Sequence, residues 1–156
     1  MKNQQGFSLV ELLIVVAIIA IIAAIAVPSL LTSRMAANEA SAIQGCRTVG
    51  SAEIAYAATN NQLYTDLATL TSGNFLDSRF TNANGFNGYT YQSGAVANGV
   101  GAGAPVAGFE FTATPTTGAG RYTYGIAPDQ VVRYLAAVSG ATPPAGLSAG
   151  DPIGKN

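Results

Sequence analysis

A run of 22 residues without a charge, from Leu12 to Ser33, is the feature that most limits how this chain can fold. Leu, Ile, Val and Ala dominate the run, which would be about 33 Å long as an α-helix. The hydrocarbon core of a bilayer is about 30 Å thick, whereas a conventional secretory signal has an apolar region of only about 7 to 15 residues. The run therefore predicts a helix that spans a membrane. Hydropathy alone does not exclude that this helix is an uncleaved anchor.

The composition argues against several classes of function. Charged residues make up 10% of the chain, whereas an ordinary soluble domain has about 25%. The net charge of -1, without long runs of like charge, gives no basic surface for nucleic acid. The chain has no His, which removes His-based triads and His-ligated metals. We expect no enzyme activity, no cofactor, no metal site and no nucleic-acid partner.

Glu11 stands at the very start of the apolar helix. A carboxylate there is costly if it enters lipid without a partner. An acid in the first turn of a helix also interacts favourably with the positive end of the helix dipole. From the residues alone, Glu11 is either a functional acid or an ordinary helix-terminal one.

The segment from Gly6 to Glu11, Gly-Phe-Ser-Leu-Val-Glu, and the apolar run that continues to Pro28 resemble the N-terminal signature of type IV pilins and type II secretion pseudopilins. In that family a dedicated peptidase cuts after the glycine, the new N-terminal residue is N-methylated, and a glutamate five residues into the mature chain aligns incoming subunits. The resemblance implies cleavage between Gly6 and Phe7, methylation of Phe7 and subunit alignment by Glu11. It covers roughly the first 60 residues, and the rest of the chain matches only in general layout.

The resemblance also implies an organisation and a location. Residues 1–6 would be the leader, 7–33 the transmembrane and filament-core helix, and 34–156 the pilin head. The precursor would lie in the inner membrane, in contact with lipid, prepilin peptidase and the pilus assembly machinery. The assembled form would be a homo-oligomeric helical filament at the cell surface. After cleavage, the free amine of Phe7 would lie four residues before Glu11, near enough along a helix for charge pairing within or between subunits.

The helix is expected to continue into the head, to about Thr59. Pro28 removes one backbone donor and predicts a kink or a local loosening. Beyond it, small and apolar residues at steps of three or four predict a buried stripe: Ala36, Ala40, Ile43, Cys46, Gly50, Ile54 and Ala57. Gly45 and Gly50 are expected to pack closely against a sheet, and Cys46 to be buried. The charged residues off this stripe are expected to be solvated or to face other subunits: Arg34, Glu39, Arg47 and Glu53.

The second half of the chain predicts a small antiparallel sheet. After a short helical turn at 66–71, alternating patterns predict four strands at 89–91, 109–114, 121–126 and 131–135. Their aromatic and apolar face should meet the helix: Tyr89, Tyr91, Phe109, Phe111, Tyr122, Tyr124 and Ile126. The segments 93–108 and 139–156, rich in Gly, Ala and Pro, are expected to be surface loop and tail. The predicted fold is α+β, a long N-terminal helix packed on about four antiparallel strands.

Four functions are compatible with these features. The leading interpretation is a structural subunit, major or minor, of a type IV pilus. A pseudopilin of a type II secretion system shares the N-terminal chemistry. Cys46 is the only cysteine, so the chain has no C-terminal cysteine pair. That absence departs from many type IV pilins and slightly favours the pseudopilin. A membrane-anchored binding module would need the leader to be retained. A membrane-anchored enzyme would need a reactive group of residues, and the sequence offers none.

Overall fold

The computed structural model describes residues 6–93, 108–136 and 151–153. These residues fall into two compact units, and the boundary in the sequence lies between Arg34 and Met35. The predicted leader, except for Gly6, and most of the predicted loop and tail lie outside the described residues. The elements are α1 (Leu9–Thr59), α2 (Leu67–Ser72), a 3-10 helix (Ser78–Thr81), β1 (Tyr89–Ser93), β2 (Phe111–Pro115), β3 (Tyr122–Ile126), β4 (Arg133–Ala136) and β5 (Asp151–Pro152).

The first unit contains the apolar part of α1. Leu, Ile, Val and Ala supply almost every residue from Leu9 to Leu31, and helix is the structure that satisfies all of their backbone groups within one segment. Every large apolar side chain from Phe7 to Leu31 is more than half exposed. A helix that is apolar on all sides requires an apolar environment, because water would meet its whole circumference.

The second unit contains an antiparallel sheet whose strands follow one another in sequence order, from β1 to β5. Tyr91 pairs with Ala113, Ala113 with Tyr124, and Tyr124 with Tyr134, which sets the register across the four longer strands. All four predicted strands are present, and the α+β prediction is confirmed. β5, a two-residue strand that pairs with β4, was expected to be part of the tail. Two residues are too few to show an alternating pattern.

The core lies between the second half of α1 and one face of this sheet, and α2 and the 3-10 helix contribute to it. The predicted aromatic face is buried with one exception, because Tyr122 is only partly buried. Aromatic rings meet edge to face within it, as between Tyr64 and Phe109 and between Phe80 and Tyr91. Such contacts add to the free energy of burial.

The buried face of α1 differs from the predicted stripe. Cys46, Gly50 and Ala57 are buried as expected, but Ala36, Ala40 and Ile54 are exposed. Arg34 and Arg47 are exposed, whereas Glu39 and Glu53 are buried, so the prediction for these two acids was wrong. Small residues surround this part of the helix on nearly every side, so hydrophobic spacing does not select one face. In the head, Arg121 binds Glu39, and the Thr65 amide contacts Glu53.

The two glycines predicted to allow close packing do so. A β-carbon at Gly45 would collide with the ring and hydroxyl of Tyr91, and one at Gly50 would lie 2.7 Å from the Ile126 side chain. Both prevent the helix from being pushed away from the sheet. After α1, Asp66 caps α2 by accepting a hydrogen bond of 2.7 Å from the Thr69 amide.

Candidate functional site

The predicted cleavage site precedes the first turn of α1. Gly6 and Phe7 are both exposed, and Phe7 has 89% of its surface open. No atom lies within 4 Å of the position that a β-carbon would take at Gly6. The described surroundings therefore leave the peptide bond between Gly6 and Phe7 open to another molecule, and whether a peptidase cuts there remains a prediction.

Glu11 lies in the first turn of α1, where it caps the helix. Its carboxylate oxygen Oε2 accepts a hydrogen bond of 3.1 Å from the backbone N–H of Ser8. The Ser8 carbonyl accepts from Leu12 at 3.3 Å, which begins the helical pattern. The sequence Ser8-Leu9-Val10-Glu11 matches the Ser-x-x-Glu capping box, in which the glutamate reaches back to the N-cap amide. This local signal is present in the sequence itself.

The capping bond places the Glu11 carboxylate next to the predicted new N-terminus. Ser8, whose amide it binds, follows Phe7 directly. In the uncleaved chain the nitrogen of Phe7 is part of a peptide bond and carries no charge. The charge pairing between the Phe7 amine and Glu11 therefore belongs to the cleaved chain and remains a prediction.

Pro28 lies inside α1, and the helix continues on both sides of it. Proline has no N–H, so the carbonyl of Ala24 lacks its usual helical donor. One turn further on, the hydroxyl of Thr32 donates to the carbonyl of Ser29 at 2.9 Å, a bond that often accompanies helix bending. A kink at Pro28 remains a prediction.

Among the described residues, one helix, α1, is long and apolar enough to cross a membrane. Its most apolar window of 18 residues has a mean hydropathy of 3.2, and none of that window is buried within the protein. The core helix of a soluble protein can have a similar composition, but it would be covered by its own chain. The exposed apolar surface of α1 and the acid at its start therefore form the candidate functional site.

The buried acids of the head belong to the structural core. Glu39 accepts hydrogen bonds from Arg121 at three donors, the backbone N at 2.9 Å and the side-chain Nε and Nη2 at 3.2 Å. Burial tends to raise the pKa of Glu39, but these bonds and the charge of Arg121 lower it below the ordinary value. Within residues 6–93, 108–136 and 151–153, no group of three or more Cys, Asp or Glu side chains is placed to hold a metal ion.

Glu53 has no such partner. Its side chain is fully buried, and both carboxylate oxygens face the single backbone N–H of Thr65, at 3.2 and 3.3 Å. Burial raises the pKa of Glu53 to about 7, the Thr65 bond opposes this, and the negative charge of Asp66 adds to it.

Comparisons with known proteins match part of the chain. Residues 1–27 match the family described as "Prokaryotic N-terminal methylation motif". Over 39 residues the chain is 51% identical to the type IV wide pilus major component PilA4 of Thermus thermophilus. That match covers 25% of this chain, and the chain spans 30% of the length of the relative.

Proposed function

We propose, from the premise that this chain is a type IV pilin-like prepilin, that it is cleaved after Gly6, methylated at Phe7 and assembled by helix packing into a pilus-like filament on the cell surface. The observation that carries the proposal is the position of Glu11 at the start of an exposed apolar helix. A pilin-type structural subunit needs a surface that lipid covers before assembly and that other copies cover afterwards. The first half of α1 would supply that surface, because its large apolar side chains are exposed.

The apolar surface of α1 would drive the association of subunits. Its Leu, Ile and Val side chains are more than half exposed in the single chain. Close packing between helices gains dispersion energy that lipid tails supply less completely. Such packing fixes axial position weakly, because successive turns of similar residues offer a neighbouring helix similar contacts.

Glu11 would supply the missing axial specificity. A carboxylate among apolar helices is unfavourable until a positive group neutralises it. Cleavage after Gly6 creates such a group, the amine of Phe7. As a subunit enters, that amine would pair with the unneutralised Glu11 of a subunit already in place, and this contact would set the register before the apolar faces close.

The experiment compares Glu11→Ala with Glu11→Gln, and it measures cleaved protein and sheared filament separately. Gln keeps an oxygen that accepts from the Ser8 amide and removes only the charge, whereas Ala removes the cap as well. If the charge sets the register, both variants are cleaved and inserted but form few filaments. Wild-type filament yield in Glu11→Gln would show that Glu11 acts as a helix cap and would refute the alignment role.

A pseudopilin of a type II secretion system is a second candidate, and Cys46, the only cysteine, favours it slightly, because many type IV pilins carry a C-terminal cysteine pair. Imaging of cells with a tag-specific antibody separates the two candidates. Long surface fibres that contain this chain support the pilus subunit, and a short periplasmic assembly supports the pseudopilin. Mass spectrometry of the native N-terminus tests both against a membrane-anchored binding module, which would keep Met1.

A further inference from the structure

We propose that Glu53 and the segment 60–66 form a pH-sensitive latch in the head, closed while the Glu53 carboxyl is protonated and loosened when it ionises. The proposal concerns the head alone and does not depend on the filament function. It places a conformational device at the point where the chain leaves α1 and turns towards α2.

The latch is a contact between the last third of α1 and the end of the segment 60–66. The Glu53 side chain has no exposed surface, and Thr65 retains only 2%. The N–H of Thr65 is the donor shared by both oxygens of Glu53. A carboxylate has about four acceptor positions, so a single amide leaves the charged form of this unexposed side chain poorly satisfied.

The charges around Glu53 favour its neutral form. Asp66, next to Thr65, is a negative group whose field acts on Glu53. Residues Leu67 to Ser72 of α2 have no ionisable side chain, and Tyr64 on the segment contributes a neutral ring that packs on Phe109. Glu39, on the same helix, has the guanidinium of Arg121 instead. The two buried acids of α1 therefore differ in whether a positive group neutralises them.

The protonated carboxyl suits the buried site better than the ionised carboxyl does. Protonation removes a charge that is costly to bury without a positive partner. Among the described residues, the Thr65 hydroxyl is buried without a hydrogen-bond partner, so the amide of Thr65 is its one polar group bound to Glu53. The closed latch therefore rests on that amide bond and on the burial of an uncharged carboxyl.

The backbone of the segment explains why the loss of this contact would loosen it. Asn61 and Gln62 both have left-handed conformations, with φ of 55° and 61°, which side chains other than glycine adopt at an energetic cost. The Gln62 amide is held by the carbonyl of Ala57 at 2.9 Å. Near its other end, the segment is held by Thr65 on Glu53. Ionisation puts a charge without a positive partner into a buried site, and that charge reaches water only if Glu53 separates from Thr65. The second attachment then opens, and the strained turn can relax.

Amide hydrogen exchange on the full-length chain in detergent micelles tests the latch, with rates corrected for the intrinsic pH dependence of exchange. We expect protection of the Thr65 amide to fall at least about tenfold as the pH rises from about 4.5, the ordinary pKa of glutamate, to about 7, and to level off above it, because one unit of pKa corresponds to a factor of ten. Glu53→Gln mimics the protonated carboxyl, because its amide both accepts and donates. It should remain protected across the whole range, and Glu39→Gln, the matched control, should keep the wild-type step.

Two results would overturn the latch. One is the same fall in protection in Glu53→Gln as in the wild type, and the other is constant protection in the wild type. If Glu53→Gln does not fold, the carboxyl carbon of Glu53 can be followed by NMR in the unaltered chain. Titration at the ordinary pH of an exposed glutamate would then exclude the latch, and titration near neutral pH, together with the fall at Thr65, would support it.

Discussion

The ring of Tyr91, on β1, occupies the space that a side chain at position 45 of α1 would need, so Gly45 is the residue that lets the helix and the sheet approach. The hydroxyl of Tyr91 is buried and has no hydrogen-bond partner among the described residues. A glycine inside a helix costs about 1 kcal/mol relative to alanine. The close approach of Tyr91 explains why the helix keeps it.

We predict that Gly45→Ala destabilises the head by about 1 to 2 kcal/mol, because the cost of overpacking exceeds the gain in helix propensity. Tyr91→Phe removes the buried hydroxyl and should change stability little or raise it. In the double variant the two effects should not add, because the nearest colliding atom, the Tyr91 oxygen, is gone, although two ring carbons stay at 2.7 and 2.8 Å and keep part of the collision. Chemical denaturation of the four proteins measures this coupling, and additive changes would mean that Tyr91 and Gly45 are not in contact.

Cys46 lies on the buried face of α1, with 1% of its surface exposed, and burial raises the pKa of its thiol to about 12. We expect it to react very slowly with polar thiol reagents in the folded chain, because both access and the thiolate form are lacking. Cys46→Ser should lower the free energy of unfolding by about 1 to 3 kcal/mol if its hydroxyl gains no partner. The rate of labelling and the denaturation midpoint are the measurements.

An exposed position on the same helix provides the control for Cys46. A cysteine in place of Ser51, which is exposed, in a chain that also carries Cys46→Ala, should label rapidly under the same conditions. If the native Cys46 labels as fast as this control, the buried face of α1 has been assigned wrongly.

The ion pair of Glu39 and Arg121 predicts a loss of stability in acid. The pKa of Glu39 is lowered in the folded chain, so its stabilising effect is fully present above the ordinary glutamate pKa of 4.5 and disappears as the pH falls through the lower folded value. Thermal unfolding between pH 7 and pH 3 should show a smaller acid-induced fall for Glu39→Gln than for the wild type.

Asp77 offers a comparison for this pH effect. Its pKa is also lowered, through bonds from the Arg79 amide and side chain, but the pair is exposed to water. Solvent screens such pairs, so Asp77→Asn should leave the acid-induced fall nearly as in the wild type. An equal effect of both variants would show that the fall reflects net charge and not the partly buried ion pair of Glu39 and Arg121.

Replacement of Gly6 by a bulky residue should leave an uncleaved precursor in the membrane. No atom of the described chain lies near the β-carbon position of Gly6, so Gly6→Leu should not disturb the fold. A side chain there would instead obstruct the approach of a peptidase to the backbone. Mass spectrometry of the N-terminus checks this, with Gly6→Ala as a milder step, and a wild-type mature N-terminus in Gly6→Leu would contradict it.

The sequence determined the elements whose signal is local. The uncharged run, the long helix and the alternating strands follow from period and composition, and the structure places all of them as expected. The hairpin turn at Asn87-Gly88, where both residues have positive φ, and the Ser8-x-x-Glu11 cap carry sequence signals that were missed. The pairing of β5 with β4 carries no such signal, because it depends on a strand far away in the sequence.

Only the tertiary structure decided which side of α1 is buried and what its acids do. The second half of the helix is rich in Ala, Gly and Ser, so its hydrophobicity varies little around the axis, and the face that meets the sheet is selected by shape. That selection places Glu39 beside Arg121, 82 positions away, and Glu53 beside Thr65. Two acids that look alike in the sequence therefore have opposite pKa shifts, because a charge is governed by the groups that folding brings to it.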